Sequence, residues 1–246
     1  FVVKNLKLKD DDIKAVMWIQ EKIHDTYGRK RKKVSVGLYE LDRIKFPVSY
    51  CAKKPREIKF VPLGMNVKLD GKQILSKHPT GRAYAHLMEG LKEYPVQVDA
   101  KGQVLSMPPI INSEDLGKIS VETKNLFVEA TGPDEDALDN VMNILATMFN
   151  DWDGKIYSVS VDGKDCPNFK SCKREISVKF VNKWIGLELK LKELVQLLEK
   201  MGHIVVGSKG DKVSFEVPAV RTDIWHDVDI ADDVARAYGF NNINPT

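Results

Sequence analysis

The chain has 246 residues, 43% of them hydrophobic, enough to bury a core in one large domain or two smaller ones. Its 38 basic and 35 acidic residues leave a formal charge of +3, too nearly balanced to mark the whole surface for nucleic acid, so any basic surface has to be local. No run reaches the ~18 apolar residues of a bilayer span, and Phe1-Val2-Val3 gives way at once to charge, which argues against a membrane helix or a secretory signal.

Cys51, Cys166 and Cys172 are odd in number, and the five residues between the last two are not the spacing of zinc ribbons or redox pairs. The expectation is a reducing compartment, the cytoplasm, with no zinc. Starting at Phe1 without an initiator methionine and stopping just after Asn244-Pro245, the sequence reads as a piece of a longer polypeptide.

In chain order, Ile13, Val16, Met17, Ile23 and Tyr27 predict an amphipathic helix over 10–27, with Asp10 to Asp12 at its start and Gly28 after its end. Short β-rich runs predict strands at Val34 to Leu38, Tyr94 to Val98, Lys118 to Glu122 and Asn125 to Glu129. Leu138, Val141, Met142, Leu145 and Met148 form the stripe of a second helix from about Pro133 to Phe149. After an alternation from Tyr157 to Val161, the polar segment Gly163 to Ser171 reads as a linker, with a boundary near residue 170. Beyond it come a strand from Arg174 to Val181, a helix from Lys190 to Met201, strands at His203 to Val206 and Lys212 to Val217, and a helix from Val228 to Tyr238 closed by Gly239. The expected architecture is α+β. A larger, mixed and mostly antiparallel domain over 1–165 is followed by a small, winged-helix-like α/β domain over 172–246.

The most unusual local feature runs from Arg221 to Val234, where Asp229, Asp232 and Asp233 share one helical face at spacings of three and four. Like charges so placed repel by ~0.2–0.5 kcal/mol per pair. They either compensate the helix dipole or, joined by Asp223 from the preceding strand end, gather hard oxygen ligands for magnesium.

Pro218-Ala-Val-Arg-Thr-Asp223, Asp229-Ile-Ala-Asp-Asp233 and Ala237-Tyr-Gly-Phe-Asn-Asn-Ile243 together resemble the signature of the small module that follows the editing domain in phenylalanyl-tRNA synthetase β subunits. Earlier, Val104-Leu-Ser-Met-Pro-Pro-Ile-Ile-Asn-Ser113 and Thr123-Lys-Asn-Leu-Phe-Val-Glu-Ala-Thr-Gly132 are similar to the editing core of the archaeal and eukaryotic cytosolic branch. The likeness also extends over residues 28–37, 53–60 and 94–99. It implies that Asp223, Asp229, Asp232 and Asp233 are magnesium ligands, although many relatives carry glutamate at the position of Asp232. It also implies that Ser106, Glu129 and Thr131, with Gln97 in the pocket wall, recognise misattached tyrosine. The implied partners are tRNA(Phe) and a synthetase α subunit, joined in a heterotetramer of α and β subunits. The resemblance further implies that the α subunit uses ATP and phenylalanine; no class II adenylate motif or Gly-rich phosphate loop is seen in this sequence.

Proofreading has a physical rationale of its own. A pocket for phenylalanine discriminates poorly against one added hydroxyl, by roughly 1–3 kcal/mol. A second site with a buried carboxylate selects the other way, since a phenol satisfies it and phenylalanine leaves it unpaired. No histidine among His24, His78, His86, His203 and His226 has a convincing nucleophile partner, so no catalytic residue is assigned. The expected reaction is attack by a positioned water on the aminoacyl ester, assisted by the neighbouring ribose hydroxyl, with backbone amides near Ser106 stabilising the oxyanion. The run Arg29, Lys30, Arg31, Lys32 and Lys33 is either a phosphate-binding turn or a solvated one. The alternative function is a non-catalytic module that holds tRNA and docks the α subunit.

Overall fold

Thr123 and Ser177 show how short polar side chains redirect a chain that its β-rich neighbours would otherwise extend. Thr123 Oγ1 accepts the N–H of Ser120, and Ser120 Oγ accepts that of Glu122. These local bonds replace ladder bonds, so the strand expected at 118–122 is a turn instead. Ser177 Oγ accepts the N–H of Phe180 and caps a helix, Val178–Ile185, that ends on left-handed Gly186. The strand predicted through Val181 therefore stops at Ser177. Val178, Val181 and Ile185 recur at helical rather than strand spacing, and all three pack into the core there.

The computed structural model describes residues 1–243; the Asn244-Pro245 end and Thr246 lie outside the described residues. The chain divides into two compact units between Pro167 and Asn168, inside the segment read as a linker. That segment is partly strand, because Lys164–Cys166 pairs with Val159–Val161.

Unit 1 runs β1 (Val2–Lys4), α1 (Asp10–Asp25), β2 (Ser35–Glu40), β3 (Ser49–Lys53), β4 (Lys59–Phe60), β5 (Leu69–Asp70), α2 (Gly71–Lys77), α3 (Pro79–Tyr84), β6 (Tyr94–Val98), β7 (Val104–Met107) and β8 (Ile111–Asn112). It continues with α4 (Glu114–Gly117), β9 (Leu126–Thr131), α5 (Glu135–Asp151), β10 (Lys155–Tyr157), β11 (Val159–Val161) and β12 (Lys164–Cys166). The α1 helix stops two residues short of Tyr27. Pro133 lies before α5 rather than in its first turn, and Asp134 caps that helix by accepting the N–H of Ala137. The alternation from Tyr157 to Val161 is two strands, β10 on β1 and β11 on β12.

Two antiparallel sheets, ordered β10-β1-β9-β2 and β3-β6-β7-β8, dominate unit 1. Period-two geometry sorts the residues of the first sheet. Val36 and Leu38 of β2 and Leu126 and Val128 of β9 join α1 and α5 in one core through Val16, Val141, Leu145 and Phe149. The alternate residues Gly37, Tyr39, Phe127 and Glu129 point to the opposite face, with Gly37 opposite Glu129 and Tyr39 opposite Phe127 in register.

Unit 2 runs β13 (Cys172–Ser177), α6 (Val178–Ile185), α7 (Leu191–Lys200), β14 (Ile204–Lys209), β15 (Lys212–Val217) and α8 (Asp227–Tyr238). Its sheet is antiparallel in the order β13-β15-β14. Val181, Leu194, Leu198, Phe215, Ile230 and Val234 fill one core beneath it. Each such side chain taken out of water contributes ~1.5–3 kcal/mol.

Candidate functional site

Glu129 is buried on β9, on the sheet face turned away from the helices. Its Oε1 accepts the Tyr39 hydroxyl at 3.0 Å, while Oε2 is buried with no hydrogen-bond partner among the described residues. Burial pushes the carboxyl up to about 7, against an opposing pull from the Tyr39 hydrogen bond. The same burial, reinforced by the nearby Glu129 charge, raises Tyr39 well above the ordinary phenol value. Opposite Glu129, Gly37 leaves room that a Cβ would take from Glu129 Oε1 and the Tyr39 hydroxyl.

The second sheet supplies the other wall. Gln97 of β6 stands opposite Ser106 of β7, and the Ser106 hydroxyl donates to Gln97 Oε1 at 3.2 Å. Tyr39 links the two sheets, with Asn112 Oδ1 at 3.2 Å and Gln97 Oε1 at 3.4 Å from its hydroxyl. Ser106, Gln97 and Glu129 therefore meet in one buried polar network. Thr131 lies two residues beyond Glu129 on the same strand face, and its hydroxyl bonds that of Ser35 at 2.8 Å.

Tyr39 and Asn112 are the members that sequence reading left unassigned. The signal for Tyr39 was its period-two relation to Gly37, which a strand ending at Leu38 cuts off. Asn112 stands within the segment 104–113 but carries no distinguishing spacing.

The basic run is a tight turn in which Arg29, Lys30 and Arg31 all have positive φ, at 48°, 55° and 62°. Two of its five cations are engaged. Arg31 donates to the carbonyls of Pro109 and Ile110, pairs with Glu21 at 2.9 Å and lies 4.5 Å from the Tyr84 ring centroid. Lys33 pairs with Asp134 at 2.7 Å. Arg29, Lys30 and Lys32 are exposed.

In unit 2, Asp223, Asp229, Asp232 and Asp233 line one cleft of about 440 Å³ with Met201, Arg221 and Arg236. The cleft supplies its own cations. Arg221 grips Asp223 through two bonds of 2.8 and 2.9 Å and reaches Asp233 at 2.9 Å. Buried Asp233 also meets His203 Nε2 at 2.8 Å, and Arg236 holds Asp232 at 2.7 Å. Asp229 accepts the N–H groups of Trp225 and His226 at 2.8 and 2.6 Å, which holds its carboxyl below the ordinary range. Asp223 is held low by Arg221. Four carboxylates suit a hard dication in kind but do not fit one in this arrangement. Among the described residues no group of three or more His, Cys, Asp or Glu is placed to hold a metal ion.

The histidines also have structural settings. His24 Nε2 accepts the N–H of Val36 at 2.9 Å, His78 meets the carbonyl of Leu63 and the N–H of Thr80, and His203 packs on Phe215. None of them is bonded to Glu129 or Ser106.

A crystal structure of an N-terminal fragment of the phenylalanyl-tRNA synthetase β-subunit from Pyrococcus horikoshii superposes with a TM-score of 0.91 at 38% identity, covering 97% of this chain and 69% of that one. The chain belongs to the phenylalanyl-tRNA synthetase β-subunit family. The tRNA synthetase B5 domain family matches residues 174–240, within unit 2. Phenylalanine–tRNA ligase β subunits are 41% identical in Pyrococcus furiosus and 40% in P. horikoshii, over 99% of this chain and 44% of each relative. The relative from Methanococcus maripaludis is 39% identical over 97% of this chain and 43% of its own length. The chain thus spans less than half the length of the curated synthetase β subunits it matches. Among the described residues no helix is long and apolar enough to cross a membrane.

Proposed function

We propose that unit 1 is a proofreading hydrolase for tRNA(Phe) wrongly charged with tyrosine, acting within a phenylalanyl-tRNA synthetase in the cytoplasm. The observation that carries this reading is Glu129, a buried carboxyl with one oxygen bonded to Tyr39 and the other without a partner among the described residues. A phenol hydroxyl completes such a site. Phenylalanine leaves it unpaired, at a cost of about 1–3 kcal/mol or more when the carboxyl is charged.

The bond broken is the ester between the tyrosine carbonyl carbon and the terminal ribose oxygen. Water adds to that carbon, its proton passes to the departing ribose oxygen, and free tyrosine and uncharged tRNA result. Ser106, Gln97 and Thr131 shape and orient the pocket, backbone amides near Ser106 stabilise the oxyanion, and the neighbouring ribose hydroxyl relays the proton. No protein side chain serves as general base. Glu129→Ala and Ser106→Ala test the pocket, and deoxy substitution at the tRNA end tests the ribose relay. Unchanged hydrolysis of the deoxy substrate sinks the relay.

Unit 2 fits the docking role for the α subunit, which would bring ATP and phenylalanine to the ligase reaction. Trp184, Trp225 and Phe240 leave large apolar surface exposed there, of the sort partners cover. The magnesium reading needs Arg221 to swing away from Asp223 and Asp233, so no step here runs through a metal.

A further inference from the structure

Tyr39 is fully buried, its ring centroid 6.0 Å from that of Phe127. Its hydroxyl sits among three acceptors, Glu129 Oε1 at 3.0 Å, Asn112 Oδ1 at 3.2 Å and Gln97 Oε1 at 3.4 Å. A phenol has one proton to give. Glu129 is the nearest of the three and the only ionisable one, and hydrogen bonds to an ionised acceptor are the strong ones.

That bond engages one oxygen of the carboxyl and leaves the other, Oε2, buried and without a partner among the described residues. Folded proteins rarely leave a buried carboxyl oxygen unsatisfied. An orphan acceptor on a side chain whose other oxygen is held fast can take a hydrogen bond from an outside donor. Gly37 makes the arrangement possible, because a side chain there would collide with both partners of the bond.

We propose that Tyr39 is a positioning residue for tyrosine proofreading, pinning Oε1 of Glu129 so that Oε2 alone is left for the phenol hydroxyl of a mischarged tyrosine. This rests on the editing reading given above. The titratable side chains that bear on Glu129 are Tyr39 on β2 and Tyr50 on β3. Of these, Tyr39 is the one that hydrogen-bonds the carboxyl, and its bond opposes the upward push of burial. Removing the hydroxyl therefore both frees the carboxyl to turn and moves its titration upward.

The test uses the synthetase whose β subunit carries this chain, with Tyr39→Phe and, as a control, Glu129→Gln. Tyr39→Phe keeps the ring and its packing. The expected result is a fall of about tenfold in kcat/KM for tyrosine release from tyrosyl-tRNA. The midpoint of the rise in rate with pH should also move up by about one unit. A lower rate with an unmoved midpoint makes Tyr39 a packing residue and overturns the proposal, as does a variant indistinguishable from the parent. If Glu129→Gln releases tyrosine like the parent, the assignment of recognition to the Glu129 carboxylate fails and this proposal with it. If Glu129→Gln abolishes release while Tyr39→Phe changes nothing, only the role of Tyr39 fails.

Discussion

In the proposed editing pocket, Glu129 sets stability against recognition at a single side chain. Burial raises its carboxyl from the ordinary 4.5 to about 7, so between those values the unfolded chain releases a proton that the folded chain keeps. Stability contributed by the protonated group is full below the lower value and is lost as pH rises through the upper one. The loss amounts to about 3 kcal/mol at most. Glu129→Gln should flatten this dependence, seen as similar urea midpoints for unit 1 near pH 5 and pH 8 where the parent is weaker at the higher pH. A variant with the parental slope would show that another group carries the titration. Ser106 and Glu129 were legible because each sits in a recognisable run of residues. Tyr39 was not, since its importance comes from register across two sheets, which sequence spacing does not encode.

Helices with a long stripe and an acidic start, such as α1 and α5, were readable from periodicity, and so were strands bounded by turn residues, such as β6 and β15. The α6 helix escaped because its eight residues hold barely two turns, and Val178, Phe180 and Val181 read equally well as strand until Ser177 is seen capping them. The acidic α8 helix was found, but its chemistry depended on partners from outside it. Arg221 neutralises Asp233, which is 5% exposed at the side chain, and removing one partner of a buried pair strands the other. His203 remains beside Asp233, so Arg221→Ala should cost ~2–3 kcal/mol, below the full range for such pairs. Thermal melts of unit 2 check this. The same variant clears the centre of the aspartate cleft, and magnesium should raise its Tm more than that of the parent. Equal responses would argue against these four aspartates as the metal ligands.

Across the whole molecule, a formal charge of +3 left tRNA contact to be decided by local surface. The 29–33 turn divides into anchors and free charge, with Arg31 and Lys33 tied to the fold and Arg29, Lys30 and Lys32 exposed. Neutralising the exposed three should reduce the slope of log affinity for tRNA against log salt by about two, while unfolding midpoints stay unchanged. An unaltered slope would remove this turn from the RNA-binding surface. The α+β class and the two-unit organisation followed from patterns that each unit carries locally. In the pairing order β10-β1-β9-β2, β1 joins two strands that each lie more than 100 residues away, and no local pattern announces it.

The most direct measurement compares release of tyrosine from tyrosyl-tRNA with release of phenylalanine from phenylalanyl-tRNA, by the synthetase carrying this chain and by its Glu129→Ala and Ser106→Ala variants. Selective tyrosine release by the parent, reduced by at least an order of magnitude in Glu129→Ala, about the effect of losing one charged hydrogen bond, is the predicted result. Equal release of both amino acids, or selective release that survives in both variants, would contradict the assignment of proofreading to this pocket.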